Sequence, residues 1–308
     1  MERLWRVPRR LYERLLEREL SGSPDHVAVI QDGNRRYATE RGEETTEGHR
    51  KGAETTEAVL DWCHELDVRE LTLYAFSTEN FNRPPDERET LFDLIEAKLV
   101  EFADADRVHE SEVRIRAIGE TQRLPERVRE AIHYAERRTR GYDRLHLNVA
   151  LAYGGRAELL SAARDVARAV DEGTIDPEDV DLSTVESRLY EGPVRDVDLI
   201  VRTGGDERTS NFLPWHANGN EAAVYFCTPY WPEFRKVDFL RSIRTYESRA
   251  ESWRTTRARR ALALVRALSK AELTEARRVL DRFRDALPSG ERRAVEENVD
   301  VDGDGAAD

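Results

Sequence analysis

The chain has 308 residues, 39% of them hydrophobic, enough to bury a substantial core. Its formal charge is -13, and lysine stands only at Lys51, Lys98, Lys236 and Lys270, so the surface is one of hydrated carboxylates relieved by arginine. That balance excludes general nucleic-acid binding, which needs a basic footprint, and it points to adaptation to high salt, where screening removes most of the self-repulsion.

The first twenty residues place Leu4, Val7, Leu11, Leu15 and Leu16 on one side of an expected helix, assigned here to 1–24. Arginines and glutamates interrupt that segment, so it is not a signal peptide, and no run of 18 apolar residues follows it. A cytoplasmic protein is expected. Cys63 and Cys227 lack CxxC or disulfide spacing and read as small buried apolar residues.

The next element is an apolar strand, Val27–Gln31, followed at once by Asp32-Gly33-Asn34-Arg35-Arg36-Tyr37. Glycine lets the backbone turn sharply, amides and two arginines suit an anion, and an aspartate beside them makes sense when Mg²⁺ bridges carboxylate and phosphate. Asp-Gly-Asn is also a common turn. A helix over Thr55–Glu65 leads to a strand over Leu71–Phe76, and the chain then reads Ser77-Thr78-Glu79-Asn80-Phe81-Asn82-Arg83 before Pro84-Pro85. That mixture of hydroxyls, amides, charge and aromatics suits a wet, specific site.

Helices are expected over Glu89–Ala105, Pro125–Arg138 and Ala157–Ala169, with strands over Val113–Ile118 and Leu145–Ala152. A fifth strand, Leu199–Val201, opens into Arg202-Thr203-Gly204-Gly205-Asp206-Glu207-Arg208-Thr209-Ser210, the parts of a second anion site. A sixth strand covers Ala223–Cys227. Helical segments over Ala261–Leu268 and Ala276–Leu287 close a single domain spanning 25–288, and 289–308 reads as an acidic disordered tail. Strands alternating with helices predict an α/β fold, a mostly parallel six-stranded sheet covered by helices, with ligands at the C-terminal strand ends. No phosphate-binding P-loop, nucleophile elbow, dinucleotide fingerprint or zinc spacing is present.

Taken in order, the segments His26–Arg36, Gly48–Gly52, Tyr74–Arg83, Asn148–Arg156 and Asp198–Asn211 resemble the five signature segments of the cis-prenyltransferases, the undecaprenyl diphosphate synthase family, in its archaeal form. The resemblance implies repeated condensation of isopentenyl diphosphate onto an allylic diphosphate, here geranylgeranyl diphosphate, with cis stereochemistry. It implies Mg²⁺ at Asp32 and Glu221, and an allylic diphosphate held by Gly33, Asn34, Arg35, Arg36, Tyr37 and His49. Condensation falls to Ser77, Thr78, Glu79, Asn80, Phe81 and Arg83, with Asp32 and Asn80 catalytic, and isopentenyl diphosphate to Arg202, Arg208, Thr209 and Ser210. A homodimer with peripheral membrane contact for product release is expected, along with a product tunnel among Leu91, Phe92, Leu94, Ile95, Leu145, Leu147 and Val149. The family commonly carries a basic residue where Thr45 stands, so one diphosphate contact is either missing here or supplied by Arg41. A Mg²⁺-dependent phosphotransferase on a similar sheet and a noncatalytic family subunit are the alternatives. The first does not explain all five segments. The second tends to lose the aspartate and arginines kept here.

Overall fold

The computed structural model describes residues 6–189, 195–219 and 222–250. The expected metal ligand Glu221, the helical segments beyond Glu251 and the acidic tail lie outside those residues. Helix α1 (Arg6–Glu19) is a unit apart from the body that begins at Leu20.

The body is a six-stranded sheet in the order β3-β4-β2-β1-β5-β6. Its strands are β1 (His26–Ile30), β2 (Glu70–Ser77), β3 (Val113–Ile118), β4 (Leu145–Tyr153), β5 (Leu199–Arg202) and β6 (Ala223–Phe226). All five pairings are parallel. In β1 every residue is buried, and alternate side chains serve opposite layers: Val27 and Val29 join one core cluster, Ala28 and Ile30 the other. That is the pattern of a strand covered on both faces.

Between the strands run α2 (Asn34–Glu40), α3 (Thr45–Glu65), α4 (Pro85–Asp104), α5 (Asp106–Glu110), α6 (Glu126–Thr139), α7 (Gly155–Asp171), α8 (Leu182–Glu186) and α9 (Pro214–Gly219), and α10 (Lys236–Ala250) follows β6. Helix α3 begins ten residues before its expected start at Thr55. Its opening holds the weak helix formers Thr45, Thr46, Gly48 and Gly52. Packing accounts for both glycines: a methyl on Gly48 would lie 2.1 Å from the Asn34 carbonyl oxygen, and one on Gly52 would lie 2.5 Å from Asn34 Oδ1. Close approach of α2 to α3 overrides propensity here.

The outer edge of β3 is closed by α6. Thr139 Oγ1 accepts from the Ile115 amide at 3.0 Å, and Glu136 Oε1 accepts from the Ala117 amide at 3.0 Å. An open edge would otherwise template intermolecular pairing. Cys63 and Cys227 are both buried thiols.

Candidate active site

Register aligns Ile30 with Tyr74 on one side and with Arg202 on the other. The segments after β1, β2 and β5 therefore emerge together at the C-terminal edge of the sheet. After β1, Gly33 adopts φ +99°, a left-handed conformation that starts α2 at Asn34. Asp-Gly-Asn is thus a turn that feeds a helix. A methyl on Gly33 would lie 2.5 Å from Tyr230 Cδ1, so the glycine also makes room for that ring. A cavity of about 580 Å³ opens above, lined by Asp32, Gly33, Asn34, Arg35, Arg36, His49, Arg83 and Tyr230, with Gln31, Thr39 and Glu40 at its margins.

Asp32 is the electrostatic centre. Its Oδ2 accepts from Arg202 at 2.8 Å, and its Oδ1 pairs with Arg36 at 3.1 Å. Burial opposes ionisation of this carboxyl, but the two guanidiniums outweigh it and hold Asp32 below the ordinary aspartate range. The Asp32 backbone is fixed as well: Thr203 Oγ1 accepts from its amide at 3.0 Å and donates to its carbonyl at 2.7 Å. Arg202, only 3% exposed, also donates to Ser210 Oγ at 2.6 Å and to Asp206 at 3.3 Å. Asp206 in turn pairs with the exposed Arg208 at 3.0 Å. The glycine pair beside them is not an anion cradle, because the Gly204 amide donates to the Pro229 carbonyl and the Gly205 amide to the Cys227 carbonyl. The anion-binding capacity of this loop resides in side chains.

After β2 the chain makes a 3₁₀ turn, Thr78–Asn82, closed by a capping box. Asn80 Oδ1 accepts the Ser77 amide at 2.9 Å. Arg83 and Arg35 share one carboxylate, Glu87, at 2.8 and 3.5 Å. Burial, reinforced by Arg83 and Arg35, pushes the His49 imidazole down to about 4, so the ring is neutral near pH 7.

The expected residues divide by location. Asp32, Gly33, Asn34, Arg35, Arg36, His49 and Arg83 share one cavity, and Arg202 joins it through Asp32. Ser77 and Asn80 form the turn beside it. Phe81 packs edge-on to Phe76 beneath Arg123, and Tyr37 lies under Arg41, whose guanidinium is 3.7 Å from the ring centre; neither lines the cavity. Thr78 packs against Gly154, Glu79 is exposed, and the Thr209 carbonyl caps the Phe212 amide. Arg41 is paired with Glu233 at 2.9 Å, and Thr45 faces a neighbouring cleft between α3 and α4. Sequence reasoning missed Thr203, Glu87 and Tyr230, whose roles arise from contacts distant in sequence, and Asp206, which lay inside a quoted motif without a role.

A second, narrower cavity of about 120 Å³ continues inward from the first, and the two share Gln31, Asn34 and His49. Its walls are apolar: Leu73, Leu91, Leu94, Ile95, Leu99, Phe102, Val149 and Trp231, with Lys98 among them. Of the expected tunnel residues, Leu91, Leu94, Ile95 and Val149 line it. Phe92, Leu145 and Leu147 are at most 3% exposed and belong to the core instead.

A parallel α/β sheet that gathers two arginine-rich loops and an ionised aspartate at one edge, above an apolar channel, defines a class. The comparisons identify it. The family model described as "Putative undecaprenyl diphosphate synthase" matches residues 30–254. A tritrans,polycis-undecaprenyl-diphosphate synthase (geranylgeranyl-diphosphate specific) of Haloarcula marismortui is 72% identical over 94% of this chain and 95% of its own length. Its namesake in Methanocaldococcus jannaschii is 46% identical over 78% and 86%. The crystal structure of lavandulyl diphosphate synthase from Lavandula x intermedia, in complex with dimethylallyl diphosphate, aligns with TM-score 0.68 and 32% identity, covering 75% of this chain and 98% of that one. The chain belongs to the undecaprenyl diphosphate synthase family and is a cis-prenyltransferase.

Proposed function

We propose that the enzyme lengthens geranylgeranyl diphosphate with successive isopentenyl diphosphate units into a long cis-polyprenyl diphosphate, the precursor of a glycosyl carrier lipid. One observation carries this reading: the arginine-rich cavity and the apolar channel share Gln31, Asn34 and His49. A ligand with an anionic head and an isoprenoid tail matches that continuity. The specificity of the curated relatives for geranylgeranyl diphosphate supports the choice of starter.

Among the described residues no cluster of three or more His, Cys, Asp or Glu is arranged to hold a metal. A single ionised carboxylate, Asp32, fits Mg²⁺ held by one protein carboxylate and substrate phosphate oxygens, with Glu221 as a further candidate. Bound there, Mg²⁺ would neutralise charge on the departing diphosphate. The residues supply the rest. Arg35, Arg36 and Arg83 stabilise the leaving diphosphate as the C1–O bond of the allylic substrate breaks. Arg202, Arg208 and Ser210 orient isopentenyl diphosphate so that its C4 bonds to that carbon. A proton then leaves C2 of the added unit, creating the new cis double bond. Asn80 is not the base: its amide is neutral, and its Oδ1 already accepts the Ser77 amide. It orients, and a diphosphate oxygen takes the proton.

Helix α7 spans 17 residues but buries only Gly155 and Ala162, and Leu160 on it is 51% exposed. A homodimer with Leu160 among its contacts is part of the same proposal. No described helix is long and apolar enough to cross a membrane; contact with a membrane surface at product release is part of the same proposal.

The deciding experiment incubates the purified protein with Mg²⁺, labelled isopentenyl diphosphate and, separately, geranylgeranyl, farnesyl or geranyl diphosphate, then sizes the products. Elongation fastest from geranylgeranyl diphosphate is expected. No elongation from any starter would remove the proposal, and preference for farnesyl diphosphate would remove the choice of starter.

A further inference from the structure

Asp32 has both carboxylate oxygens engaged by guanidinium groups. Any cation or substrate that comes to this carboxylate competes with one of the two arginines for its oxygens. Arg202 is 3% exposed and anchored by four acceptors, Asp32, Asp206, Ser210 Oγ and the Arg208 carbonyl, so it is not the one that moves. Arg36 is the less anchored partner: its side chain is 45% exposed, and among the described residues its ion pair is to Asp32.

Beneath Arg36 lies a residue that no motif singled out. Tyr230 is 5% exposed, lines the same cavity, and carries the Arg36 guanidinium 5.4 Å from its ring centre. The ring is locked. Its Cδ1 presses against Gly33, and its hydroxyl donates to Glu40 Oε1 on the last turn of α2. The next residue, Trp231, donates its amide to the Asp32 carbonyl at 3.0 Å and its indole N–H to the Gly52 carbonyl at 2.7 Å. On the other side of Arg36, Gly204 leaves room: a methyl there would lie 2.7 Å from Arg36 Nη2. The guanidinium thus has a slot bounded by an aromatic face, a glycine and a carboxylate.

We propose that Tyr230 is a positioning residue for Arg36, its ring retaining the guanidinium in the cavity while Arg36 passes from the Asp32 carboxylate to a bound diphosphate. A fixed aromatic face attracts a cation without competing for the hydrogen-bond donors that the diphosphate needs. Held there, Arg36 releases Asp32 and meets the anion without leaving the cavity. The idea rests on the reading of this cavity as a diphosphate site.

The test is calorimetric binding of inorganic pyrophosphate to the metal-free protein in EDTA, which reads the arginines apart from turnover. Tyr230→Leu is expected to weaken binding about fivefold, in line with a cation–π contact to a half-exposed guanidinium. Arg36→Ala is expected to weaken it at least as much, and the double variant no further than Arg36→Ala alone. Tyr230→Phe, which keeps the face and loses the Glu40 contact, is expected to stay within about twofold of the unchanged protein. Unaltered binding by Tyr230→Leu, losses that add in the double variant, or a Tyr230→Phe as weak as Tyr230→Leu would each overturn the role of Tyr230. If the unchanged protein bound no pyrophosphate, the diphosphate reading would fall and take this inference with it. Thermal melts check folding, and Tyr230→Met, which fills the volume without an aromatic face, replaces a Leu variant that does not fold.

Discussion

Arg202 donates to Asp32 at 2.8 Å across 170 positions of sequence, from the end of β5 to the end of the neighbouring β1. The guanidinium uses its fork on four acceptors at once, which an ammonium cannot copy. Arg202→Lys is therefore expected to lower kcat/KM by about a hundredfold or more. Arg202→Ala is expected to cost about 2–3 kcal/mol of stability, less than a fully buried pair because Asp32 is partly exposed. Steady-state kinetics and urea melts check both. A lysine variant with near-normal kcat/KM would refute the forked role.

Acid sensitivity follows from two depressed groups. His49 binds a proton near the ordinary value of 6.5 when unfolded but only near 4 when folded, so stability falls as pH drops from about 6.5 towards 4. Asp32 contributes stability that is present above the ordinary aspartate value of 3.8 and lost as pH falls through its lower folded value. His49→Gln is expected to flatten the upper part of the stability–pH curve and leave the lower part intact. Urea melts across pH 7 to 2 compare the two; parallel curves would contradict the assignment.

Two glycines should resist even a methyl group. Gly52→Ala would press on Asn34 Oδ1 at 2.5 Å and on Trp231 at 2.8 Å, and is expected to cost about 1–3 kcal/mol with loss of activity. Gly204→Ala adds strain at φ +85° and crowds Arg36. It is expected to raise KM for the allylic substrate more than KM for isopentenyl diphosphate. Initial-rate kinetics with each substrate varied in turn separate the two effects.

The channel distinguishes lining from core. Ile95→Trp narrows the lining and is expected to shorten the products. Phe92→Ala removes a core side chain and is expected to cost about 3–5 kcal/mol while leaving product length unchanged. Product sizing and melts read the contrast, and a length shift from Phe92→Ala would redraw the channel.

Asn80 is expected to orient without taking the proton. Asn80→Ala should lower kcat/KM while leaving the kinetic isotope effect from deuterium at C2 of isopentenyl diphosphate unchanged. A markedly larger isotope effect would make Asn80 part of proton removal.

Much of this architecture is written locally. The six strands were legible because a sheet buried on both faces demands short continuous apolar runs, as in Val27–Ile30 and Leu71–Phe76. Asp32, Arg36 and Arg202 were legible as types suited to an anion and a metal at strand ends. What stayed hidden was relational. The first ten residues of α3 carry a poor helical signal that only contact with Asn34 explains. Thr203 and Glu87 look ordinary in sequence and gain meaning from partners elsewhere in space, 171 positions away in the case of Thr203. Tyr37 and Phe81 stand in motif positions yet turn towards Arg41 and the core, because an aromatic ring beside a site is as readily drawn to packing as to a ligand.

The placement of β1 between β2 and β5 also sets the order of events during synthesis. Four strands, including the one that delivers Asp32, leave the ribosome well before β5, yet Asp32 lacks its guanidinium fork and the Thr203 brace until β5 inserts. A chain arrested after β4 would already possess two thirds of the sheet and an aspartate paired with Arg36 alone, but not the Arg202 loop. Chemical competence is therefore a late acquisition in folding, reached only when the most distant strand partners have met.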